Sequence, residues 1–522
     1  MSTNQNKAMS WLTLAFLMVA AVASVRSLPG MAVYGLGSVF LYLIPALVFF
    51  VPVALVAAEL GTGWNGGIYG WVKQAYGEKW GFFVMWFLWL EVVTWYPTAL
   101  AFAASTFAYM FDPELAKSGI FTAVVIVVLY WISTFVALKG MNAVSKLSSW
   151  FMILGTLFPA ALLIVLGVVW LLLGRKSAQP MTLDALIPDV FSSTTVVKAG
   201  SQKLHLDFWQ RFEGGAAGLV LVVGNFLAFA GIEMNAVHVR ELKNPQRDVP
   251  KSLLVAAILI VLIFVPPTLA ISFVVPADST SLTAGVMQAY ADFFQAFHMS
   301  WAIKIMALLL VFGALGGVLA WTAGPSVGLL FVGKAGSLPP WFQKTNKQGI
   351  QANILVLQAV LVSLLALLYV VVPDVSGAFW MLGALAVQMY LIVYVFMFAA
   401  AMKLRKTQPN VKRGYRAPAI HFWSILGILS SVLALLLGFL PPSQFKMLPP
   451  AIYVGMLVAG LIVTAAPAFI FYAYRKPSWQ IVPKAESDRY SAALQDLDAE
   501  AAVAAAKPPA SPAPAPRATA KV

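Results

Sequence analysis

Apolar residues in this chain come in long runs. They do not alternate as in a half-buried strand, nor form the narrow stripe of a soluble amphipathic helix. A membrane-spanning helix needs roughly 20 mostly apolar residues. Twelve runs meet that measure: 9–36, 38–60, 80–110, 120–138, 147–173, 214–239, 252–275, 299–333, 352–372, 376–402, 421–440 and 450–474. The pattern therefore predicts an all-α membrane protein with twelve transmembrane helices. The first, third and eighth runs are long, which predicts tilt or interruption. The first run lacks a small-residue cleavage site and continues through Arg26 and Pro29, so no cleavable signal peptide is expected.

The polar segments between the runs set an expected orientation. With both termini in the cytoplasm, eighteen Lys and Arg before the tail fall on the cytoplasmic side and seven on the other. Five of those seven lie in one long loop, 174–213. The positive-inside rule favours that arrangement. The first residues, 1–8, then form a cytoplasmic N-terminus. The last, 476–522, form a cytoplasmic tail rich in Ala and Pro, with too few large apolar groups to build a core. Disorder is expected there, with a short helix near 487–506.

Composition sharpens the picture. Of 522 residues, 61% are hydrophobic and 10% charged, with a mean hydropathy of +0.84. A soluble domain is typically about 25% charged, so an ordinary soluble enzyme and a disordered chain are both excluded. Cys is absent, which rules out disulfides, thiolate metal sites and a cysteine nucleophile. The four His residues, His205, His238, His298 and His421, fall in loops or at span ends. Neither enzyme chemistry nor a metal or cofactor is expected. The net charge of +14 fits cytoplasmic loops and does not call for a nucleic-acid partner. The bilayer and a small molecule are the expected partners.

Two runs contain breaks. The first reads Val22-Ala-Ser-Val-Arg-Ser-Leu-Pro-Gly-Met-Ala32. Pro29 lacks an N–H and clashes with the preceding turn, Gly30 follows it, and Ser24 and Ser27 offer hydroxyls to freed backbone groups. The sixth reads Gly224-Asn-Phe-Leu-Ala-Phe-Ala-Gly-Ile-Glu-Met-Asn235, where Gly231, Glu233 and Asn235 are poor lipid-facing choices. These runs open two successive sets of five. Interrupted helices in corresponding places predict a five-plus-five inverted repeat, 9–173 and 214–402, with two further helices in 403–475. Half-helix N-termini attract an anion, and unwound carbonyls accept from an ammonium. The α-groups of an amino acid supply that pair.

After the second break comes Gly231-Ile-Glu-Met-Asn-Ala-Val-His-Val-Arg-Glu-Leu-Lys-Asn-Pro-Gln-Arg-Asp-Val-Pro250. The Gly-x-Glu followed by Asn-Pro-x-Arg-x-x-Pro resembles the sixth helix of the amino acid–polyamine–organocation superfamily. Ser281-Leu-Thr-Ala-Gly-Val-Met-Gln288, Trp321-Thr-Ala-Gly-Pro-Ser326, Leu338-Pro-Pro340, Gly66-Gly-Ile-Tyr-Gly-Trp-Val72 and Phe439-Leu-Pro-Pro442 narrow it. Together they resemble the bacterial glutamate/γ-aminobutyrate antiporter family, from about residue 10 to 475. The resemblance implies a leucine-transporter-like fold in the bacterial inner membrane, with substrate between helices 1, 3, 6, 8 and 10. It also implies exchange of an amino acid for a related one or its decarboxylation product, with a functional link to a cytoplasmic decarboxylase. Three departures stand out. Arg26 occupies a position where the family's well-known glutamate exchanger carries Tyr. Gly317 aligns with a Glu beside that protein's substrate. The tail has no His, whereas that protein's basic, His-containing tail acts as a pH-dependent plug.

An ionisable group at bilayer depth is costly and is usually paired or functional. Arg26, Glu91 and Glu233 lie well inside spans, while Glu59 and Lys304 fall near span ends, where the interface is expected. Two readings of Arg26 stand: bidentate contact with a substrate carboxylate, or a permanent ion pair with Glu91 or Glu233. Glu91 is correspondingly either a partner of Arg26 or a titrating site, and Glu233 matches the superfamily's sixth-helix Glu. The candidate substrate site comprises Ser24, Arg26, Ser27, Phe229, Gly231, Glu233, Gly317, Trp321, Tyr390 and Tyr394. Phe229 reads as a lid or as core, and Trp95 joins the aromatics of interest. Glu91 and Glu233 are the proton-coupling candidates. The fifth run has no Lys or Arg between Ser148 and Leu173, which lowers a mechanism based on a fifth-helix Lys. The expected function is amino-acid exchange; the alternative is a proton-coupled amino-acid symporter.

Overall fold

The computed structural model describes residues 9–186, 215–445 and 447–481. The predicted N-terminal segment, most of the 174–213 loop and nearly all of the 476–522 tail, including its short helix, lie outside the described residues. Among those described, the architecture is all-helical, apart from one isolated bridge between Met9 and Leu242. Among the described residues, eleven helical stretches are long and apolar enough to cross a membrane, and Trp11–Val22 is a shorter apolar helix ahead of them.

In chain order the main elements are α1 (Trp11–Val22), α2 (Leu28–Ala32), α3 (Gly35–Gly63), α4 (Gly67–Tyr76), α5 (Glu78–Ala108), α6 (Gly119–Leu138) and α7 (Ala143–Leu172). After the loop comes the apolar stretch Gly215–Ala236, which contains α8 (Val223–Phe229) and leads into a 3₁₀ segment, Ile232–Glu241. Then follow α9 (Pro245–Val274), α10 (Gly285–Ala296), α11 (Ala302–Val332), α12 (Ala352–Val371), α13 (Val375–Thr407), α14 (Ile420–Leu437) and α15 (Pro450–Ala473).

The first apolar run, 9–36, does not form one helix. Ser10 caps α1, its Oγ accepting from Thr13 N at 3.0 Å. Helical backbone stops at Val22, because Ala23 turns extended (ψ 115°). Pro29 cannot donate to the Val25 carbonyl, four residues back; that oxygen accepts from Leu28 N instead, at 3.3 Å. The long third and eighth runs stay helical as α5 and α11, with Pro97 and Pro325 inside them.

Burial ranks the helices. In α5 the most apolar stretch is 94% buried, while in α15 it is 11%. α5 therefore forms the centre of the molecule and α15 its edge. Close crossings depend on glycine: a Cβ at Gly155 in α7 would collide with the backbone of Gly313 in α11, and one at Gly61 in α3 with that of Ala236.

Candidate functional site

The two interruptions lie together. Ala230 is extended (ψ 154°) and Gly231 takes φ 99°, a left-handed conformation that strongly favours glycine. The ten residues Ile232–Glu241 then run as 3₁₀ helix, unusually long for a form that seldom exceeds three or four residues. A Cβ at Gly231 would stand 3.0 Å from Trp321 Cζ2 and 3.7 Å from the Ala21 carbonyl oxygen. The turn after α8 thus sits between the end of α1 and the indole on α11. Asn235 Nδ2 donates to Leu17 O at 3.4 Å, and Asn225 Nδ2 to Leu41 O at 3.0 Å, fastening this segment to α1 and α3.

Glu233 is fully enclosed and held by three donors. Tyr390 donates to Oε1 at 2.6 Å, Tyr394 to Oε2 at 2.5 Å, and Gly231 N to Oε2 at 3.1 Å. Gly231 N also donates to the Tyr394 hydroxyl at 3.0 Å. Tyr390 and Tyr394, one helical turn apart on α13, stack at 4.7 Å between ring centroids. The carboxylate therefore ties α13 to the turn after α8.

Arg26 lies in the first interruption. Its backbone N donates to Ser24 Oγ at 3.3 Å, and its Nη1 to Thr98 Oγ1 at 3.2 Å. The guanidinium is sandwiched, 5.5 Å from the Trp95 ring centroid and 5.6 Å from that of Phe379. Its buried Nε has no hydrogen-bond partner, and neither does the buried Ser27 hydroxyl. Among the described residues, neither Glu91 nor Glu233 forms an ion pair with Arg26. Glu91 is buried on α5, and its Oε2 also lacks a partner. A cavity of about 50 Å³ opens beside Arg26, lined by Ser27, Gly30, Leu282, Phe379 and Trp380 among others. A larger, polar cavity of about 410 Å³ lies elsewhere, among Thr62, Trp64, Asn65, Lys73, Gln74 and Arg240. It meets only Arg240, at the far end of the 3₁₀ segment, and neither Arg26 nor Gly231 lines it, so the smaller cavity is the better candidate.

The remaining expected residues fall into place unevenly. Gly317 faces Trp95, whose Cη2 would lie 3.9 Å from a Cβ there. Phe229 is packed in an aromatic cluster with Tyr42, Phe50 and Phe264, and does not line the cavity beside Arg26. Thr98 and Phe379 went unnoticed in the sequence. For Thr98 there was a signal: it lies seven residues from Glu91 and three from Trp95, on one face of α5. Glu59, expected at the interface, is enclosed by protein. Its Oε1 accepts from Arg405 Nη1 at 2.7 Å and lies 3.4 Å from Arg413 Nε, and its Oε2 accepts from Ala417 N at 2.8 Å.

Many apolar helices around buried, broken backbone and a few enclosed charges define a multi-pass membrane transporter. The family model described as amino acid permease matches residues 9–463. An uncharacterized transporter of Legionella pneumophila is 39% identical over 476 residues, covering 90% of this chain and 97% of that one. The glutamate/γ-aminobutyrate antiporter of Lactococcus lactis is 29% identical over 467 residues, covering 87% of this chain and 88% of that one. A probable agmatine/putrescine antiporter of the same species is 22% identical over 391 residues, with 74% and 77% covered. The chain belongs to the amino acid permease family of the amino acid–polyamine–organocation superfamily; it is a transporter, not an enzyme.

Proposed function

We propose that this chain is a secondary active transporter of the bacterial inner membrane. It exchanges an acidic or neutral amino acid for a related amino acid, or for a decarboxylation product such as γ-aminobutyrate. The observation that carries this reading is the meeting of the two interruptions beside an arginine that no carboxylate of the described chain neutralises. In this reading α1 and α2 form one broken first span. The spans number twelve, the first ten form two inverted repeats of five, and both termini are cytoplasmic. Antiporters among the relatives support the exchange class.

Mechanistically, the unwound backbone near Ala23–Ser27 and Ala230–Gly231 receives the substrate's amine and α-carboxylate. Arg26 adds positive charge for a carboxylate, and its partly enclosed guanidinium beside the cavity offers a charge-assisted bond. Glu233, occupied by Tyr390, Tyr394 and Gly231, positions the second break. The broken segments then tilt against the remaining helices to alternate access. Coupled to a cytoplasmic decarboxylase, each cycle would remove the equivalent of one proton.

A proton-coupled symporter is the second reading, favoured by the unpartnered Oε2 of Glu91. Uptake into empty and substrate-loaded vesicles separates the two. Exchange predicts uptake only into loaded vesicles. Strong net uptake into empty vesicles under a pH gradient would replace it with symport.

A further inference from the structure

Glu91 is a buried carboxyl group whose Oε2 no group among the described residues serves. Leaving a buried charged group without a hydrogen bond is costly. Glu233, on the neighbouring segment, shows the contrast, since three donors occupy it. Glu91 shares one face of α5 with Trp95 and Thr98, the two residues of that helix that hold the Arg26 guanidinium. At 1.5 Å rise per residue, Trp95 stands about 6 Å and Thr98 about 10 Å along the helix from Glu91. Among the described residues Arg26 and Glu91 form no direct ion pair or hydrogen bond; the guanidinium is held by Trp95 and Thr98 instead. An arginine held against one face of α5 and a carboxyl group on that same face thus stand without a direct bond to each other.

We propose that Glu91 is a specificity-determining residue that receives a positively charged end of the substrate, while Arg26 receives a carboxylate at the other end. The proposal rests on the reading of this region as the transport site. Such a two-ended clamp favours a molecule with opposite charges separated by a few methylenes. It disfavours a diamine, which meets Arg26, and a dicarboxylate, which meets Glu91. It also accounts for the absence of a direct Arg26–Glu91 pair: a substrate fits between them only if they stay apart.

The test uses purified full-length protein and direct binding, read from tryptophan fluorescence because Trp95 stacks on Arg26. The probes are γ-aminobutyrate, which carries both charges, and glutarate, which carries carboxylates alone. Wild type should bind γ-aminobutyrate more tightly. Glu91→Gln should weaken γ-aminobutyrate by roughly 10- to 100-fold, the range of a bond to a charged group, and leave glutarate equal or tighter. If Glu91→Gln fails to fold, as judged by thermal unfolding, Glu91→Asp, which draws the carboxylate back by one methylene, should show the same asymmetry. Equal weakening of both probes, or of neither, overturns the clamp. So does a wild type that exchanges neutral amino acids and binds neither probe, which leaves the exchanger reading intact. A wild type that exchanges no amino acid at all removes the reading on which the clamp rests.

Discussion

Arg26 Nη1 donates to Thr98 Oγ1 at 3.2 Å, and that neutral hydroxyl is the only hydrogen-bond partner of the guanidinium among the described residues. An arginine enclosed at this depth normally recruits a carboxylate. Here two aromatic rings and one hydroxyl hold it, which leaves its charge for an incoming anion. Arg26→Ala should therefore weaken a substrate whose carboxylate lies away from its amine, such as glutamate or γ-aminobutyrate, by roughly 10- to 100-fold, the equivalent of about 1.5–3 kcal/mol, and a neutral α-amino acid such as glutamine far less. Competition against labelled substrate measures the difference. Equal loss for both, in protein that still folds, would make Arg26 structural.

Gly231 should tolerate no side chain. An L-residue in its left-handed conformation costs about 1–2 kcal/mol, and a Cβ would press on Trp321 at 3.0 Å. Gly231→Ala should lower both thermal stability and transport. Adding Trp321→Ala should recover part of the packing loss and none of the backbone strain. Wild-type transport by Gly231→Ala would show that the second break is not a fixed part of the site.

The Tyr394 hydroxyl serves both Glu233 and the Gly231 amide. Tyr394→Phe removes both bonds and should cost about 1–3 kcal/mol, the penalty of leaving a buried polar group unserved. Tyr390→Phe, which loses one bond, should cost less. Thermal unfolding in detergent orders the two; the reverse order would mean that the Oε1 bond carries the junction.

Glu59 joins α3 to the end of α13 and the segment after it, through Arg405, Arg413 and Ala417. Breaking a buried pair by removing one partner costs about 3–5 kcal/mol. Glu59→Ala should accordingly fall among the most destabilising single changes in the molecule, and Glu59→Gln should retain part of the Ala417 and Arg405 contacts. An unchanged unfolding temperature for Glu59→Ala would contradict this.

Eleven of the twelve expected spans were legible because bilayer depth imposes a length on apolar runs, and Pro29 and Gly231 marked backbone that leaves regular α-helix nearby, at Ala23 and at Ala230–Gly231. Tyr390 and Tyr394 were placed on one face by helical periodicity alone. Contacts that depend on how helices cross were not legible. Nothing local to Glu59 announces Arg405, and nothing around Phe229 shows that its ring turns toward Tyr42, Phe50 and Phe264 rather than toward Arg26. The same holds for Phe379, an unremarkable residue of an apolar helix until Arg26 lies across it.

Counterflow in proteoliposomes tests the central claim most directly. Vesicles are loaded in parallel with unlabelled glutamate, γ-aminobutyrate, glutamine, aspartate or arginine, and entry of the matching labelled compound is followed. Exchange at the Arg26 site predicts accumulation that depends on the internal compound, strongest for glutamate or γ-aminobutyrate, whose carboxylate lies away from the amine, and reduced for these by Arg26→Ala. Accumulation that ignores the internal compound, or none with any of the five from folded protein, would contradict the claim.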